Sequence, residues 1–143
     1  MFATIGFFAL AVFGLGAVSV ATDADIIAVP GLGPVPGIAG MAAAVVGFAV
    51  MLWSTLRRPH PSFLATITIA LVSALAHLAG VWVAVLVGSE NIVIATAVAG
   101  DLVRGGASAV LLLAAAIGAW GGIALRRTRA TRPRWPWEGD DEE

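Results

Sequence analysis

The sequence predicts an all-α membrane protein, a four-transmembrane-helix bundle with a short cytoplasmic C-terminal tail. Only 12% of its 143 residues are charged, whereas about a quarter are charged in an ordinary soluble domain. The mean hydropathy is +0.96. Long apolar runs alternate with short polar segments, and arginines cluster at the ends of two of the runs. A water-soluble fold would lack the polar groups to cover its surface.

Four runs match the thickness of a bilayer, whose core of about 30 Å needs about 20 apolar helical residues. They are residues 2–21, 37–56, 63–87 and 105–125. We expect helices, because backbone amides in lipid must be bonded within the segment, and the runs lack the alternation of barrel strands. The third run is longer and is expected to tilt. Residues 1–125 then form the transmembrane domain, and 126–143 a basic and then acidic tail.

The connections differ in character. Residues 22–36 contain three prolines, which break helices. Residues 57–62 are short and basic and predict a tight hairpin. Residues 88–104 are too apolar for a plain loop, so we interpret them as an interfacial helix or an extension of the fourth helix.

The first run has an alternative interpretation as a cleaved signal peptide. Ser19 and Ala21 fit the small-residue rule at a cleavage site. No basic residue precedes the run, however, and it is longer than a usual signal core. We therefore expect a retained span, and cleavage stays the alternative.

The arginines predict the orientation. Seven of the eight follow the second and fourth runs, and such residues stay in the cytoplasm. We therefore expect a multi-pass protein of a bacterial plasma membrane with both termini cytoplasmic. The outer loops then carry Asp23, Asp25 and Glu90, and Arg104 is the one outward exception. The seven arginines are Arg57, Arg58, Arg126, Arg127, Arg129, Arg132 and Arg134.

The composition excludes several classes of function. The chain has no cysteine, so thiolate catalysis, disulfides, iron–sulfur clusters and thiolate zinc sites are ruled out. A net charge of −1 argues against a nucleic-acid partner. No phosphate-binding loop, zinc-protease or haem motif is present, and we expect no cofactor. All basic residues are Arg, which with much Ala, Gly and Val suggests a GC-rich bacterial genome.

The third run carries the main candidate residues. Thr66, Ser73 and His77 recur with Gly80 on one helical face. His77 is the only ionisable side chain well inside a span, and such residues are candidates for function. In one interpretation a neutral His77 hydrogen-bonds across the bundle, to Ser108 or a backbone carbonyl. In the other it responds to protons or binds a ligand.

Two further groups of charged residues allow structural interpretations. Asp101 is expected to cap a helix that begins near Leu102, with Arg104 paired to it or reaching the head groups. The functional alternative is an outward-facing polar site that includes Glu90. Asp23 and Asp25 resemble part of a metal loop, but two carboxylates alone favour a solvated loop.

The tail and the glycines indicate contacts. Arg126, Arg127, Trp135 and Trp137 are expected to hold the tail at the membrane interface, or to form a docking motif for a partner. Small residues four apart indicate close helix packing, within one chain or between chains. Such pairs are Gly118 with Gly122, Gly40 with Ala44, and Ala43 with Gly47.

The chain resembles small four-span membrane proteins of actinobacteria that lack an assigned function. The resemblance rests on 22–25 (Thr-Asp-Ala-Asp), on 100–106 (Gly-Asp-Leu-Val-Arg-Gly-Gly) and on the arginine-rich tail with Trp135 and Trp137. It covers the whole chain loosely and implies no activity and no site residues.

Buried polar groups are scarce, so we expect a non-catalytic accessory or interaction subunit of a membrane assembly. Its partners would be the lipid bilayer and either another membrane protein or copies of itself. The alternative is a small oligomeric transporter or channel with a path along His77, Ser73 and Ser108. We do not expect an enzyme, because four short spans leave little room for a solvated cavity in one chain.

Overall fold

A computed structural model describes residues 1–23, 29, 31–58 and 61–130, with side chains as far as Thr128. In these ranges all regular structure is helical, and four helices are long and apolar enough to cross a membrane. The predicted all-α membrane bundle is therefore confirmed. The helices are α1 (Phe2–Thr22), α2 (Val35–Leu56), α3 (Ala65–Ser89), α4 (Ile92–Arg104) and α5 (Ala107–Ala130), of which α4 is the short one.

The four long helices form a ring with one open side. Helix α2 packs along α3, α3 packs against α5, and α5 packs against α1. Helix α1 contacts α2 at only a few positions. The side of the bundle between α1 and α2 is therefore the least closed.

Small residues bring the helix backbones together at two interfaces. A Cβ atom at Gly80 of α3 would lie 2.9 Å from the Ala39 carbonyl oxygen and 2.9 Å from the Ala43 Cβ of α2. At Gly122 of α5 a Cβ would lie 3.1 Å from the Ala3 Cβ of α1. Close approach gains dispersion energy and replaces the hydrophobic effect, which does not drive helix association in lipid. The small-residue pairs therefore serve contacts within the chain.

A cluster of apolar side chains fills the centre of the ring toward its arginine-bearing end. Phe7 of α1 stacks on Phe48 of α2, with ring centroids 4.5 Å apart and an interplanar angle of 14°. Both rings are fully buried among residues of α3 and α5 such as Ile69 and Leu111. The stack is the main bridge between α1 and α2.

The third connection forms a separate helix. The Asn91 side-chain Oδ1 accepts hydrogen bonds from the amides of Val93 (2.9 Å) and Ile94 (3.3 Å), which caps the start of α4. The Trp82 indole then donates to the Thr96 hydroxyl at 3.3 Å and ties α4 to α3. Gly105 and Gly106 separate α4 from α5, so the connection does not extend the fourth span.

The described arginines of the two clusters lie at the same end of the bundle. The Arg127 guanidinium, near the end of α5, lies 4.9 Å from the ring centroid of Phe63 in the hairpin before α3. In that hairpin Arg57 lies 4.9 Å from the Trp53 ring. Since Gly122 packs on Ala3, the start of α1 is at this end too. Asp23 and Glu90, at the other ends of α1 and α3, lie on the opposite side.

We expect Gly80→Ala to lower the free energy of unfolding by about 1–3 kcal/mol, because the added methyl forces α2 and α3 apart. Titration with SDS in mixed micelles measures this. Gly121→Ala is the matched control, since nothing lies within 4 Å of its Cβ position. Equal stability of the two variants would contradict the close approach.

Candidate functional site

Most hydroxyl groups inside the long helices are bonded to their own helix. The Ser73 hydroxyl, fully buried, donates to the Ile69 carbonyl at 2.7 Å. The Thr55 hydroxyl donates to the Met51 carbonyl at 2.9 Å. Bonds of this kind, from residue i to the carbonyl at i−4, satisfy the hydroxyl without help from another helix. The hydroxyl hydrogens of Ser73 and Thr55 are therefore already used within their own helices.

His77 differs from these residues. Its side chain is 2% exposed, and its Nδ1 atom has no hydrogen-bond partner among the described residues. The Thr66 Oγ1 atom is the other buried side-chain atom of this kind in the described ranges. Eleven residues separate the two on α3, which is about 16 Å along the axis. They therefore belong to different places in the bundle.

A cavity of about 310 Å³ reaches His77. Its remaining described wall is apolar or backbone, from α1 and from the turn and first residues of α2. His77 is thus neither sealed in dry packing nor on a polar channel. The described residues lining this His77 cavity are Leu15, Gly33, Pro34, Gly37, Ile38, Met41 and His77.

The His77 cavity continues into a wider groove on the open side of the ring. The groove has a volume of about 620 Å³ and shares Gly37, Ile38 and Met41 with the cavity. We call it the α1–α2 groove, and its described lining residues are Phe8, Val12, Gly37, Ile38, Met41, Ala42, Val45 and Val46. Ile38 and Val46 are more than half exposed. The groove therefore opens sideways, toward the surroundings of the spans.

A second groove of about 550 Å³ lies between the first half of α2 and the second half of α3. Small residues of both helices form its floor, and exposed valines form its rims. We call it the small-residue groove, and its described lining residues are Gly31, Leu32, Val35, Ala39, Gly80, Val83, Ala84, Val87 and Gly88. None of these residues lines the His77 cavity or the α1–α2 groove.

The sequence analysis placed Ser73, His77 and Ser108 along one path, but in the structure these three side chains form no hydrogen bonds with one another. The Ser108 hydroxyl donates to the Leu102 carbonyl at 3.4 Å, so the predicted bond between His77 and Ser108 is wrong. The reason is local: Ser108 follows the break between α4 and α5 and faces the end of α4. Ser73, although close in sequence, is bonded within α3.

The expected cap at Asp101 is also wrong. Asp101 lies in the last turn of α4, not at the start of the next helix. It pairs with Arg104 at 3.7 Å, and the two side chains are 77% and 83% exposed. An exposed pair contributes little to stability. Glu90 ends α3 in a left-handed conformation. Within the described part of the chain it forms no ion pair with Arg104, whose partner is Asp101.

The proposed tail interface is only partly within the described residues. Arg126 is exposed near the end of α5, and Arg127 lies on the Phe63 ring. Trp135 and Trp137 lie outside the described residues, as do Asp25 and His60. Within the described ranges no three His or carboxylate side chains lie close enough to hold a metal ion.

Comparison with known families matches residues 1–143 to the Family of unknown function (DUF6121). The chain belongs to this family. No curated protein and no solved structure matches it. Membership in DUF6121, a family of unknown function, assigns no activity to the His77 cavity or to either groove.

We expect His77→Leu to leave the free energy of unfolding unchanged, or to raise it by about 1 kcal/mol. The substitution removes a buried nitrogen that has no partner and keeps an apolar contact surface. Phe48→Leu is the comparison, and it should lower stability by about 1–3 kcal/mol because it removes the stack on Phe7. SDS titration measures both, and a large loss in His77→Leu would assign the histidine a structural role.

Proposed function

We propose that this chain is a non-catalytic accessory subunit of an assembly in a bacterial plasma membrane. In this proposal both termini are cytoplasmic, and a transmembrane helix of another chain docks in the small-residue groove. The shape of that groove is the observation that supports the proposal most directly.

The small-residue groove suits a helix. Gly80, Ala84 and Gly88 are four residues apart and so follow one face of α3. Gly80 already packs on α2 and Gly88 lies against the Leu32 side chain, so the part of this face that a further helix could approach is at Ala84. A small residue there allows a close approach. Val83 and Val87 are 51% and 73% exposed and stand beside the floor as a ridge. A docked helix would contact the floor and the ridge at the same time. Flexible lipid chains would fill the groove less densely.

The alternative of an oligomeric transporter receives less support. A conducting path needs polar groups or water at successive depths of the membrane. Among the described span residues, Ser73 is bonded to its own helix and Ser108 to the end of α4. His77 is left with an otherwise apolar cavity wall. These groups do not line one continuous route within the described chain.

The proposed orientation follows from charge. The hairpin with Arg57 and the end of α5 with Arg127 lie together, and basic residues near spans remain in the cytoplasm. Since α1 begins at the same end, its first residue would be cytoplasmic too. This is why both termini are placed inside.

Single cysteines test the orientation, because the natural chain has none. In intact cells a membrane-impermeant maleimide should label Arg104→Cys, whose native side chain is 83% exposed at the outer end. Arg58→Cys should be labelled only after the membrane is permeabilised. The reverse pattern would invert the proposed topology.

Crosslinking in native membranes tests the docking site. A photoreactive amino acid at Val83 should capture a membrane protein, and Ala84→Leu, which fills the groove, should reduce that capture by at least about tenfold. Ala9→Leu, at an exposed position of α1, is the control and should have no effect.

The mass of the product separates a different subunit from a second copy. Capture that survives Ala84→Leu, or that is equal from Leu75 on another face of α3, would reject the groove as the site. A purified chain that is monomeric and has no crosslinked partner would reject the accessory-subunit proposal itself.

A further inference from the structure

We propose that the His77 cavity binds a single-chain lipid molecule whose polar group is small and uncharged, such as a hydroxyl or a carbonyl. This inference is independent of the proposed docking of a partner helix. No described residue lines both the His77 cavity and the small-residue groove.

The route to the cavity runs through lipid. The α1–α2 groove is walled by apolar side chains such as Phe8, Val12 and Val45, and it opens on the side of the ring where α1 and α2 scarcely touch. Toward the arginine-bearing end, the stack of Phe7 on Phe48 closes the gap between the two helices. A molecule dissolved in the bilayer can therefore slide in from the side, whereas an aqueous ligand would meet an apolar wall.

The size of the cavity excludes a helix as its occupant. A helix with its side chains is about 10–12 Å across, too wide for a space of about 310 Å³. Small-molecule sites begin at about this volume. One hydrocarbon chain can follow the groove, with its functional group in the cavity. A helix of a second copy or of a partner subunit could cover the groove, but its backbone would not fit into the cavity.

The chemistry of the cavity calls for a hydrogen-bonding ligand. The imidazole of His77 is 2% exposed, and its Nδ1 is enclosed without a partner among the described residues. Its Nε2 edge faces Gly40 of α2, between the cavity-lining residues Gly37 and Met41. The nitrogens of a neutral imidazole are one donor and one acceptor, so either a hydroxyl or a carbonyl oxygen in the cavity can bond to Nε2, according to the tautomer. An alkyl chain without a polar group would form no hydrogen bond with the imidazole.

The described lining of the cavity disfavours a charged headgroup beside His77. His77 lies twelve residues from either end of α3, about 18 Å, and the cavity extends from it to Gly33 and Pro34 in the turn before α2. A charge at the centre of a bilayer is costly unless it is paired. The described lining of the cavity contains no Asp, Glu, Lys or Arg that could pair with one. The ligand must therefore be uncharged where it meets the imidazole.

Photolabelling of the full chain in liposomes tests the site. The probes are a long-chain alcohol and an alkane of equal length, each with a diazirine and an alkyne tag. The alcohol should label peptides that contain Leu15 or Met41 about fivefold more than the alkane, the factor equivalent to one hydrogen bond of about 1 kcal/mol. In His77→Leu this preference should vanish, and in His77→Gln, which can still hydrogen-bond, part of it should return.

Matched tryptophan variants test the position. Met41→Trp fills the cavity and should abolish labelling of these peptides by both probes. Val50→Trp adds the same ring to an exposed position of α2 and should leave labelling unchanged. Crosslinking from Val83 should be the same in both variants, which separates this inference from the proposed docking.

Three results would overturn the proposal. One is equal labelling by the alcohol and the alkane in the natural chain, which means nonspecific partition into a groove. Another is a preference for the alcohol that persists in His77→Leu. The third is equal labelling by a phosphatidylglycerol probe of the same chain length, since no described lining residue could pair with its charge. SDS titration of each variant confirms that the bundle is intact.

Discussion

Close contact of α2 with α3 is the interaction on which the rest of the structure depends. Lipid tails are as apolar as the side chains, so burying leucine or valine contributes little free energy to the association of these helices. The close approach of Gly80 to Ala39 and Ala43 packs the two helices densely, and the dispersion energy of these contacts stabilises their association. The pair then offers α5 a surface, and α5 in turn holds α1 through Gly118 and Gly122. Close contacts between neighbouring helices thus hold the ring together, and those between α2 and α3 are the most extensive.

The close packing of α2 on α3 also determines the surroundings of His77. A Cβ at Gly40 would lie 3.1 Å from both Cδ2 and Nε2 of the imidazole, so α2 packs directly on that edge of the ring. Backbone carbonyls of α2 and α3 nearby are used in their own helices. The tight packing that stabilises the bundle thereby holds a polar ring in place and gives its Nδ1 no partner among the described residues.

Composition was sufficient to predict the helical spans, because length and hydropathy determine what can cross a bilayer. The pairing of helices was not predictable, since an apolar run looks the same whether it faces lipid or another helix. Gly118 and Gly122 indicated contact but did not reveal that α1 is the neighbour. At the third connection the capping residue is Asn91, which stands directly before an apolar run as capping residues do, whereas Asp101 lies inside the helix. The His77 cavity depends on Leu15 and Met41, whose proximity arises only from the fold.

The open side of the ring follows from the lengths of the connections and from the core. Helices α2 and α3 are joined by a short hairpin and must pack side by side, whereas the connection between α1 and α2 is longer and sets no such constraint. Helix α1 can therefore settle on α5, where glycines admit it, and it bridges to α2 only through Phe7 and Phe48. Beyond that stack the two helices contact each other at few positions, and the His77 cavity lies between Leu15 of α1 and Met41 of α2. The opening beside His77 exists because α1 packs on α5 and contacts α2 at only a few positions. A ligand from the bilayer would fill this opening.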